Sequence, residues 1–212
     1  MFYFRRIQIL SIDQDKIKLI ESLYTSNILK FGNFKLSSGK NSPYYLNLRI
    51  IQSYPNVFQA VVKSYLDMIN KIGLDNFDVI CGIASAGLVF SSPLSFLTHK
   101  SHVYVRKYEK TYGLKNSLEG YFKPKSNVLV VDDIFTTGSS IQKTLDVIDK
   151  NSGIINNVLV LINRMENTDN FLIQNNIKLN YVFSIVDFAN ILYDKSLITN
   201  TQKEILLSQF YL

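Results

Sequence analysis

The chain has 212 residues, 47% of them hydrophobic, and carries a formal net charge of +6 with a pI of about 9.2. This length favours one domain with a substantial core over two small domains. The single cysteine, Cys81, excludes a disulfide framework and indicates a reducing compartment, and no apolar run approaches the roughly 20 residues of a membrane helix. We therefore expect a soluble cytoplasmic protein in which Cys81 is a small buried residue.

The first third of the chain predicts two helices with a hairpin between them. Residues 13–31 place apolar side chains at helical spacing, with Asp13 or Asp15 as a candidate N-cap. Residues 31–49 are rich in Gly, Ser, Asn and Pro, which is typical of a hairpin with several turns. Residues 57–73 return to helical spacing and end at a glycine, a candidate C-cap.

The rest of the chain alternates short apolar runs with helical segments. The runs are predicted strands, at residues 77–84, 102–107, 127–133 and 156–164. Helical segments are predicted at 88–99 and 139–151, while the second and third strands are joined without a convincing helix. Strands that are apolar on both faces and alternate with helices predict an α/β fold with a twisted, mostly parallel sheet flanked by helices.

Two adjacent aspartates, Asp132 and Asp133, follow the apolar residues of VLVVDDIFTTGSS, residues 128–140. Ligands gather at the carboxyl ends of parallel strands. The TTGSS run then begins a helix, and the backbone amides at a helix start form a phosphate cradle, with Gly138 allowing a tight turn. Two carboxylates beside such a cradle fit a sugar phosphate, because the carboxylates accept from adjacent ribose hydroxyls while the amides hold the 5′-phosphate.

A structural interpretation of this block stays open at this point. Asp133 or a threonine would then cap the helix, and Asp132 would be a solvated strand end. The basic cluster RKYEKTYGLK, residues 106–115, is likewise either a solvated charged loop or a group of cations for a polyanion.

The block at 128–140 closely resembles the signature of type I phosphoribosyltransferases, which bind phosphoribosyl pyrophosphate. FKLSSGKNSPYYLNLR (34–49) resembles the hood segment of orotate phosphoribosyltransferases, RKYEKTYG (106–113) resembles their basic loop, and LINRME (161–166) resembles their Leu-x-Asp-Arg-x-x segment. These matches occur in order, from about residue 16 to 190. The chain is similar to orotate phosphoribosyltransferases, most of all to the phosphoribosyltransferase domain that is fused to a decarboxylase in UMP synthases.

The resemblance implies a type I phosphoribosyltransferase-like core with a small hood, within one domain over 1–212. The hood would span about 13–55 plus part of the C-terminal segment, and the core about 56–190. The implied activity is transfer of ribose 5-phosphate from phosphoribosyl pyrophosphate to orotate, which gives orotidine 5′-phosphate and pyrophosphate in pyrimidine (UMP) biosynthesis. It also implies Mg²⁺ held mainly through the substrate, a homodimer that shares the basic loop across subunits, and no nucleic-acid partner.

The implied sites draw on five parts of the chain. The residues implied to bind phosphoribosyl pyrophosphate are Ser85, Ala86, Gly87, Arg106, Lys107, Lys110, Tyr112, Asp132, Asp133, Ile134, Phe135, Thr136, Thr137, Gly138, Ser139 and Ser140. Of these, the implied catalytic residues are Lys107, Lys110, Asp132 and Asp133. The implied orotate residues are Tyr45, Leu46, Thr136 and Arg164. Alternatively, Tyr45 and Leu46 are the core of a hairpin, and Arg164 is a surface arginine after a strand.

The chain departs from the family pattern in three places. Ser37 stands where the family often has lysine, with Lys35 and Lys40 nearby as alternative cations. Ala86 replaces a lysine common in the pyrophosphate turn, where backbone amides remain to bind an anion. The basic loop has Tyr and Thr in place of Glu and Asp. These changes bear on turnover more than on fold.

Two other functions remain open on the sequence. A purine or uracil phosphoribosyltransferase would keep the VDDIFTTG block but lack the SPYYLN segment and Arg164. A regulator that senses phosphoribosyl pyrophosphate would also bind nucleic acid, but no helix-turn-helix is evident.

Overall fold

The computed structural model describes residues 2–35, 41–106, 117–164 and 170–208. The helices are α1 Phe2–Thr25, α2 Pro55–Ile72, α3 Ala86–Thr98, α4 Ser139–Lys150, α5 Asn170–Gln174, α6 Ile185–Asp194 and α7 Asn200–Leu207. The strands are β1 Leu29–Lys35, β2 Asn41–Leu46, β3 Val79–Ile83, β4 Ser101–Val105, β5 Leu118–Glu119, β6 Asn127–Phe135, β7 Ile154–Asn163 and β8 Lys178–Ser184. Short 3₁₀ helices lie at Leu48–Ser53 and Leu74–Asn76.

The chain divides into two compact units. Unit 1 comprises Met1–Val61 and Phe183–Leu212, and unit 2 comprises Val62–Val182. No helix in the part of the chain that the structure describes is long and apolar enough to cross a membrane.

Unit 1 contains the β1–β2 hairpin and helices from both ends of the chain. The two strands pair antiparallel, with Leu29 opposite Leu46. Lys16 Nζ lies 2.8 Å from Asp187 Oδ2, so an ion pair joins α1 to α6. The N-terminal and C-terminal segments are therefore tied together within this unit.

Unit 2 is built on a six-stranded sheet with the order β5-β4-β3-β6-β7-β8. β3 pairs parallel with β4 and with β6, β6 pairs parallel with β7, and β5 is antiparallel to β4. The carboxyl ends of β3, β4, β6 and β7 consequently lie along one edge of the sheet. Loops that follow these strands are brought together at that edge.

Helices α3 and α4 cover opposite faces of this sheet. Successive side chains of a strand point to opposite faces. On β3, a side chain at Gly82 would meet Ser91 of α3, whereas Cys81 belongs to the apolar core that contains Ile141 and Leu145 of α4. The central strands are buried on both sides, which explains why they read as continuous apolar runs.

The predicted hairpin, the second helix, the four strands and both later helices are confirmed. The first helix is wrong at both ends, because α1 spans Phe2–Thr25 and Asp13 and Asp15 lie inside it. No glycine or proline interrupts the residues before Asp13. The helix ends early because Asn27 adopts φ 57°, in the left-handed region that asparagine tolerates, and the chain then enters β1.

Candidate active site

The two aspartates lie within β6, which runs to Phe135, two residues beyond the predicted strand. Asp132 is buried, and Asp133 and Ile134 are half-buried. The Asp133 N–H donates to Asp132 Oδ1 at 3.0 Å. A backbone amide thus supports one carboxylate oxygen of Asp132 near the strand end.

Burial and a neighbouring like charge both disfavour the charged form of Asp132. Burial, followed by the charge of Asp133, raises the pKa of Asp132 well above its usual range. Hydroxyl donors or positive charge would relieve this cost. The strand end therefore suits a ligand that brings such groups to the carboxylates.

The turn after β3 approaches the same aspartate. Ser85 is exposed and is the N-cap of α3, Ala86 is half-buried and Gly87 is buried, and the Ala84–Ser85 peptide is cis. A Cβ built on Gly87 would lie 2.7 Å from Val131 O and 3.0 Å from Asp132 Oδ1. The structure therefore brings together the predicted pyrophosphate turn and the predicted ribose site.

The predicted phosphate turn leads from β6 into α4. Thr136 and Thr137 are half-buried and Ser139 and Ser140 are exposed, with Thr137 Oγ1 donating to Ser139 Oγ at 3.4 Å. Gly138 is the N-cap of α4, with φ 75°, and there is no side-chain cap at this position. The helix thus begins at a glycine, not at the Asp133 or threonine cap of the structural interpretation. Its first amides face the turn without a side-chain acceptor from the N-cap.

Close packing holds this glycine in place. A Cβ on Gly138 would meet the ring of Phe171, which stacks on Phe135 at 6.5 Å between centroids. Gly138 therefore serves both the left-handed backbone conformation and the close approach of an aromatic ring. The sequence pattern predicted the glycine but not Phe171, which lies in the short helix α5.

Arg164 follows β7, the strand beside β6. Asn163 pairs with Phe135, and the Arg164 N–H donates to Phe135 O at 2.9 Å. Arg164 is only 4% exposed, so the interpretation of it as a surface arginine is wrong. A buried guanidinium lies one strand away from the aspartates, where it can serve an anionic group.

Arg106 marks the start of the basic segment at the end of β4. Its N–H donates to Ser117 O at 2.8 Å, and its Nε lies 2.8 Å from Glu119 Oε1. The Ala84 N–H donates to Val105 O at 2.9 Å, so the base of this segment abuts the turn after β3. The predicted loop residues Lys107, Lys110 and Tyr112 lie outside the described residues.

Tyr45 and Leu46 belong to β2 in unit 1. Leu46 is buried, and half-buried Tyr45 accepts a hydrogen bond from Arg49 Nη2 at 3.0 Å. Lys35 is exposed at the end of β1, whereas Ser37 and Lys40 lie outside the described ranges. The assignment of Tyr45 and Leu46 to orotate stays a prediction.

Tyr65 contacts the site and was missed by the sequence patterns. Its hydroxyl donates to the Asp132 carbonyl oxygen at 2.7 Å. The spacing of the second helix predicts a buried residue here, but it does not identify the hydrogen-bond partner, which lies 67 positions away. Cys81, by contrast, has the predicted structural role, because burial raises the pKa of its thiol to about 12 and leaves no nucleophilic thiolate.

Comparison with known proteins identifies similar sequences and structures, although no family model matches the chain. A Staphylothermus marinus protein named orotate phosphoribosyltransferase is 35% identical over 181 residues, covering 85% of this chain and 87% of that protein. Among solved structures, orotate phosphoribosyltransferase from Aeropyrum pernix matches this chain with a TM-score of 0.73 and 27% sequence identity. The match covers 85% of this chain and 99% of that one.

A UMP synthase structure also matches. The Leishmania donovani enzyme gives a TM-score of 0.80 and 25% identity over 91% of this chain, which spans 41% of that protein's length. These likenesses confirm the predicted fold, an α/β core of the type I phosphoribosyltransferase kind. On the identity and coverage of its relatives, this chain belongs to the orotate phosphoribosyltransferase family.

Proposed function

We propose that the chain transfers ribose 5-phosphate from phosphoribosyl pyrophosphate to a ring nitrogen of orotate, giving orotidine 5′-phosphate and pyrophosphate for UMP synthesis. The observation that carries this proposal is the close approach of Gly87 to Asp132. It supports a common site for the start of α3, the two aspartates and the start of α4, which suits a ligand with two phosphate groups and a ribose between them.

Each part of phosphoribosyl pyrophosphate has a matching group in this arrangement. The Asp132 and Asp133 carboxylates accept hydrogen bonds from the ribose hydroxyls. The amides at the start of α4 hold the 5′-phosphate, and those of the 85–87 turn hold the pyrophosphate. Arg106, Lys107, Lys110 and Tyr112 are the proposed loop contacts to the pyrophosphate.

The reaction exchanges one bond at the anomeric carbon for another. The bond from this carbon to a pyrophosphate oxygen breaks, a bond to the orotate nitrogen forms, and the proton of that nitrogen passes to the released pyrophosphate or to water. Positive charge develops on the sugar ring as the leaving group departs, and the two carboxylates stabilise that charge. Positioning and electrostatics therefore supply most of the catalysis, with the Lys107 and Lys110 ammonium groups neutralising the pyrophosphate.

The site also suits a magnesium ion that is held mainly through the substrate. Mg²⁺ prefers oxygen ligands, which the pyrophosphate and the ribose hydroxyls would supply. The described residues contain no group of three or more His, Cys, Asp and Glu side chains that would hold a metal alone. When bound, Mg²⁺ would supply positive charge to the pyrophosphate, and Asp132 and Asp133 would orient the ribose hydroxyls beside it.

Arg164 is the proposed contact to orotate. A buried guanidinium next to the aspartate strand can form a charge-assisted pair with the orotate carboxylate. Tyr45, Leu46 and Thr136 are proposed as the other orotate residues. We further propose a cytoplasmic homodimer in which the basic loop serves the neighbouring subunit, with unit 1 containing the hood.

A panel of bases tests this function. Pyrophosphate release would be measured with phosphoribosyl pyrophosphate, Mg²⁺ and either orotate, uracil, adenine or hypoxanthine. Of the four bases, only orotate is expected to give rapid release of pyrophosphate. A faster reaction with uracil or a purine would reject orotate as the acceptor.

Matched variants link that activity to the aspartates. Asp132→Asn and Asp133→Asn should each lower turnover at least about ten-fold, equivalent to about 1.4 kcal/mol of barrier, while the fold is kept. Asp149→Asn, at an exposed position on α4, is the control and should retain wild-type turnover. Wild-type rates in both site variants would contradict the ribose assignment.

A further inference from the structure

The peptide that joins Asp132 to Asp133 is held at both of its polar atoms. Its carbonyl oxygen, from Asp132, accepts the Tyr65 hydroxyl at 2.7 Å. Its N–H, from Asp133, donates to Asp132 Oδ1 at 3.0 Å. A peptide plane held on both sides restrains ψ of Asp132 and φ of Asp133, and so restrains the directions in which the two neighbouring side chains leave the backbone.

Tyr65 is itself firmly held. The side chain is 0% exposed on α2, and its ring stacks on Phe90 of α3 with 5.3 Å between centroids and 22° between planes. Burial, then the charges of Asp133 and Asp132, raise the pKa of Tyr65 well above its usual value. The hydroxyl therefore keeps its proton and remains a hydrogen-bond donor.

The carbonyl that Tyr65 binds lies on a central strand of the sheet. In the pairing of β6 with β7, Asp132 is opposite Val160 and Ile134 is opposite Ile162. The Tyr65 hydroxyl therefore reaches the sheet backbone at the residue where the acidic pair begins.

Packing alone does not require this oxygen. Phenylalanine would fill nearly the same volume and keep the stack on Phe90, while a buried hydroxyl is costly unless it is hydrogen-bonded. The hydroxyl instead contributes direction, because it binds the one carbonyl that lies between the two carboxylates. An apolar ring at this position would leave that carbonyl without the Tyr65 donor.

We propose that Tyr65 is a positioning residue for the ribose of phosphoribosyl pyrophosphate, acting through the Asp132–Asp133 peptide. This inference rests on the proposed function, since it assigns the ribose hydroxyls to the two aspartates. Tyr65 does not touch the substrate in this account. Its hydroxyl sets the orientation of both carboxylates before the substrate arrives, which lowers the cost of binding.

The variant Tyr65→Phe tests the proposal because it removes one oxygen and keeps the ring. Binding of phosphoribosyl pyrophosphate with Mg²⁺ would be measured by titration calorimetry without orotate, alongside both Michaelis constants and the melting temperature. Loss of one such hydrogen bond should weaken phosphoribosyl pyrophosphate binding about three- to ten-fold. The KM for orotate should change less than about two-fold, because Arg164 is untouched.

Tyr24→Phe is the matched control. The Tyr24 hydroxyl also donates to a backbone carbonyl, that of Leu197, at 2.8 Å, but within unit 1. Its removal should lower the melting temperature to a similar degree and leave phosphoribosyl pyrophosphate affinity unchanged. A general loss of stability would affect the two variants alike, whereas a positioning role separates them.

The remaining outcomes either overturn the role of Tyr65 or reject the proposed reaction. Wild-type affinity in Tyr65→Phe, or equal rises in both Michaelis constants, would overturn the positioning role. If Tyr65→Phe does not fold, Phe90→Leu, which loosens the ring and keeps the hydroxyl, should weaken binding about two-fold or more, and wild-type affinity in it would overturn the role. A wild-type protein that binds phosphoribosyl pyrophosphate but does not use orotate would reject the proposed reaction and leave the Tyr65 result standing, whereas no binding at all would reject both.

Discussion

Gly87 at the start of α3 lies against Asp132 at the end of β6, so closely that an added Cβ would stand 3.0 Å from the carboxylate oxygen Oδ1. The same Cβ would stand 2.7 Å from the carbonyl oxygen of Val131. Contacts this short require the backbone to move, because Val131 O is fixed in the sheet. The position of the helix start and the position of the carboxylate are therefore coupled.

Gly87→Ala should damage the site through this coupling. We expect a loss of at least about ten-fold in kcat/KM for phosphoribosyl pyrophosphate, together with a lower melting temperature, since either the helix start or β6 must shift. Steady-state kinetics and thermal unfolding measure both effects. Ser92→Ala, at an exposed position of the same helix, is the control, and wild-type kinetics in Gly87→Ala would show that the approach is not needed.

The protonation of Asp132 should make stability depend on pH in a defined direction. Burial and then the charge of Asp133 raise the pKa of Asp132 in the folded chain. The folded state then binds this proton more tightly than the unfolded state does, so protonation of Asp132 stabilises the fold. This stabilisation is fully present below about pH 3.9, the usual aspartate pKa, and is lost as pH rises through the pKa of Asp132 in the folded chain.

Asp132→Asn should therefore raise the melting temperature of the ligand-free protein at neutral pH, although it lowers turnover. Asparagine keeps Oδ1 as the acceptor for the Asp133 N–H and removes the buried charge. The gain should shrink towards about pH 4, where wild-type Asp132 is protonated as well. Thermal unfolding across this pH range measures the gain in melting temperature of the variant over wild type. A gain that is smaller at neutral pH than at acid pH would contradict the assigned direction of the pKa shift.

Arg164→Ala should raise the KM for orotate far more than the KM for phosphoribosyl pyrophosphate. The change removes a charge-assisted contact to one substrate only, which costs about 1.5–3 kcal/mol, or roughly ten- to a hundred-fold. Both constants would be measured with the other substrate saturating. Lys178→Ala, at an exposed lysine on β8, controls for loss of charge, and equal effects on the two substrates would assign Arg164 another role.

A mixed dimer tests the shared loop. If Lys110 serves the partner's site, a dimer of one Lys110→Ala chain and one Asp133→Asn chain has one site with both lesions and one with neither. Mixing the two impaired variants should then restore up to about half of the wild-type activity per heterodimer. No recovery, once mass spectrometry confirms that subunits have exchanged, would indicate a loop that acts within its own chain.

Local chemistry explains what the sequence predicted. The turn from β6 to α4 depends on residues next to each other in the chain, so Asp132, Asp133 and Gly138 were all identifiable from spacing and turn chemistry. The central strands were likewise evident, because burial on both faces demands continuous apolar runs.

Distant contacts explain what the sequence did not predict. The bond from Tyr65 to Asp132 spans 67 positions, and nothing in a helical apolar pattern identifies the partner of a buried hydroxyl. The ring of Phe171 against Gly138 is a similar case. The end of α1 depends on the single left-handed residue Asn27, which periodicity over many residues does not detect.

The most direct test of the account is the absorbance of orotate during incubation with the wild-type protein. With phosphoribosyl pyrophosphate and Mg²⁺ both present, the account predicts loss of orotate absorbance matched by formation of orotidine 5′-phosphate and pyrophosphate. Omission of phosphoribosyl pyrophosphate should abolish the change. Orotate absorbance that stays constant under every combination of the substrate and the metal would contradict the proposal that this chain is an active orotate phosphoribosyltransferase.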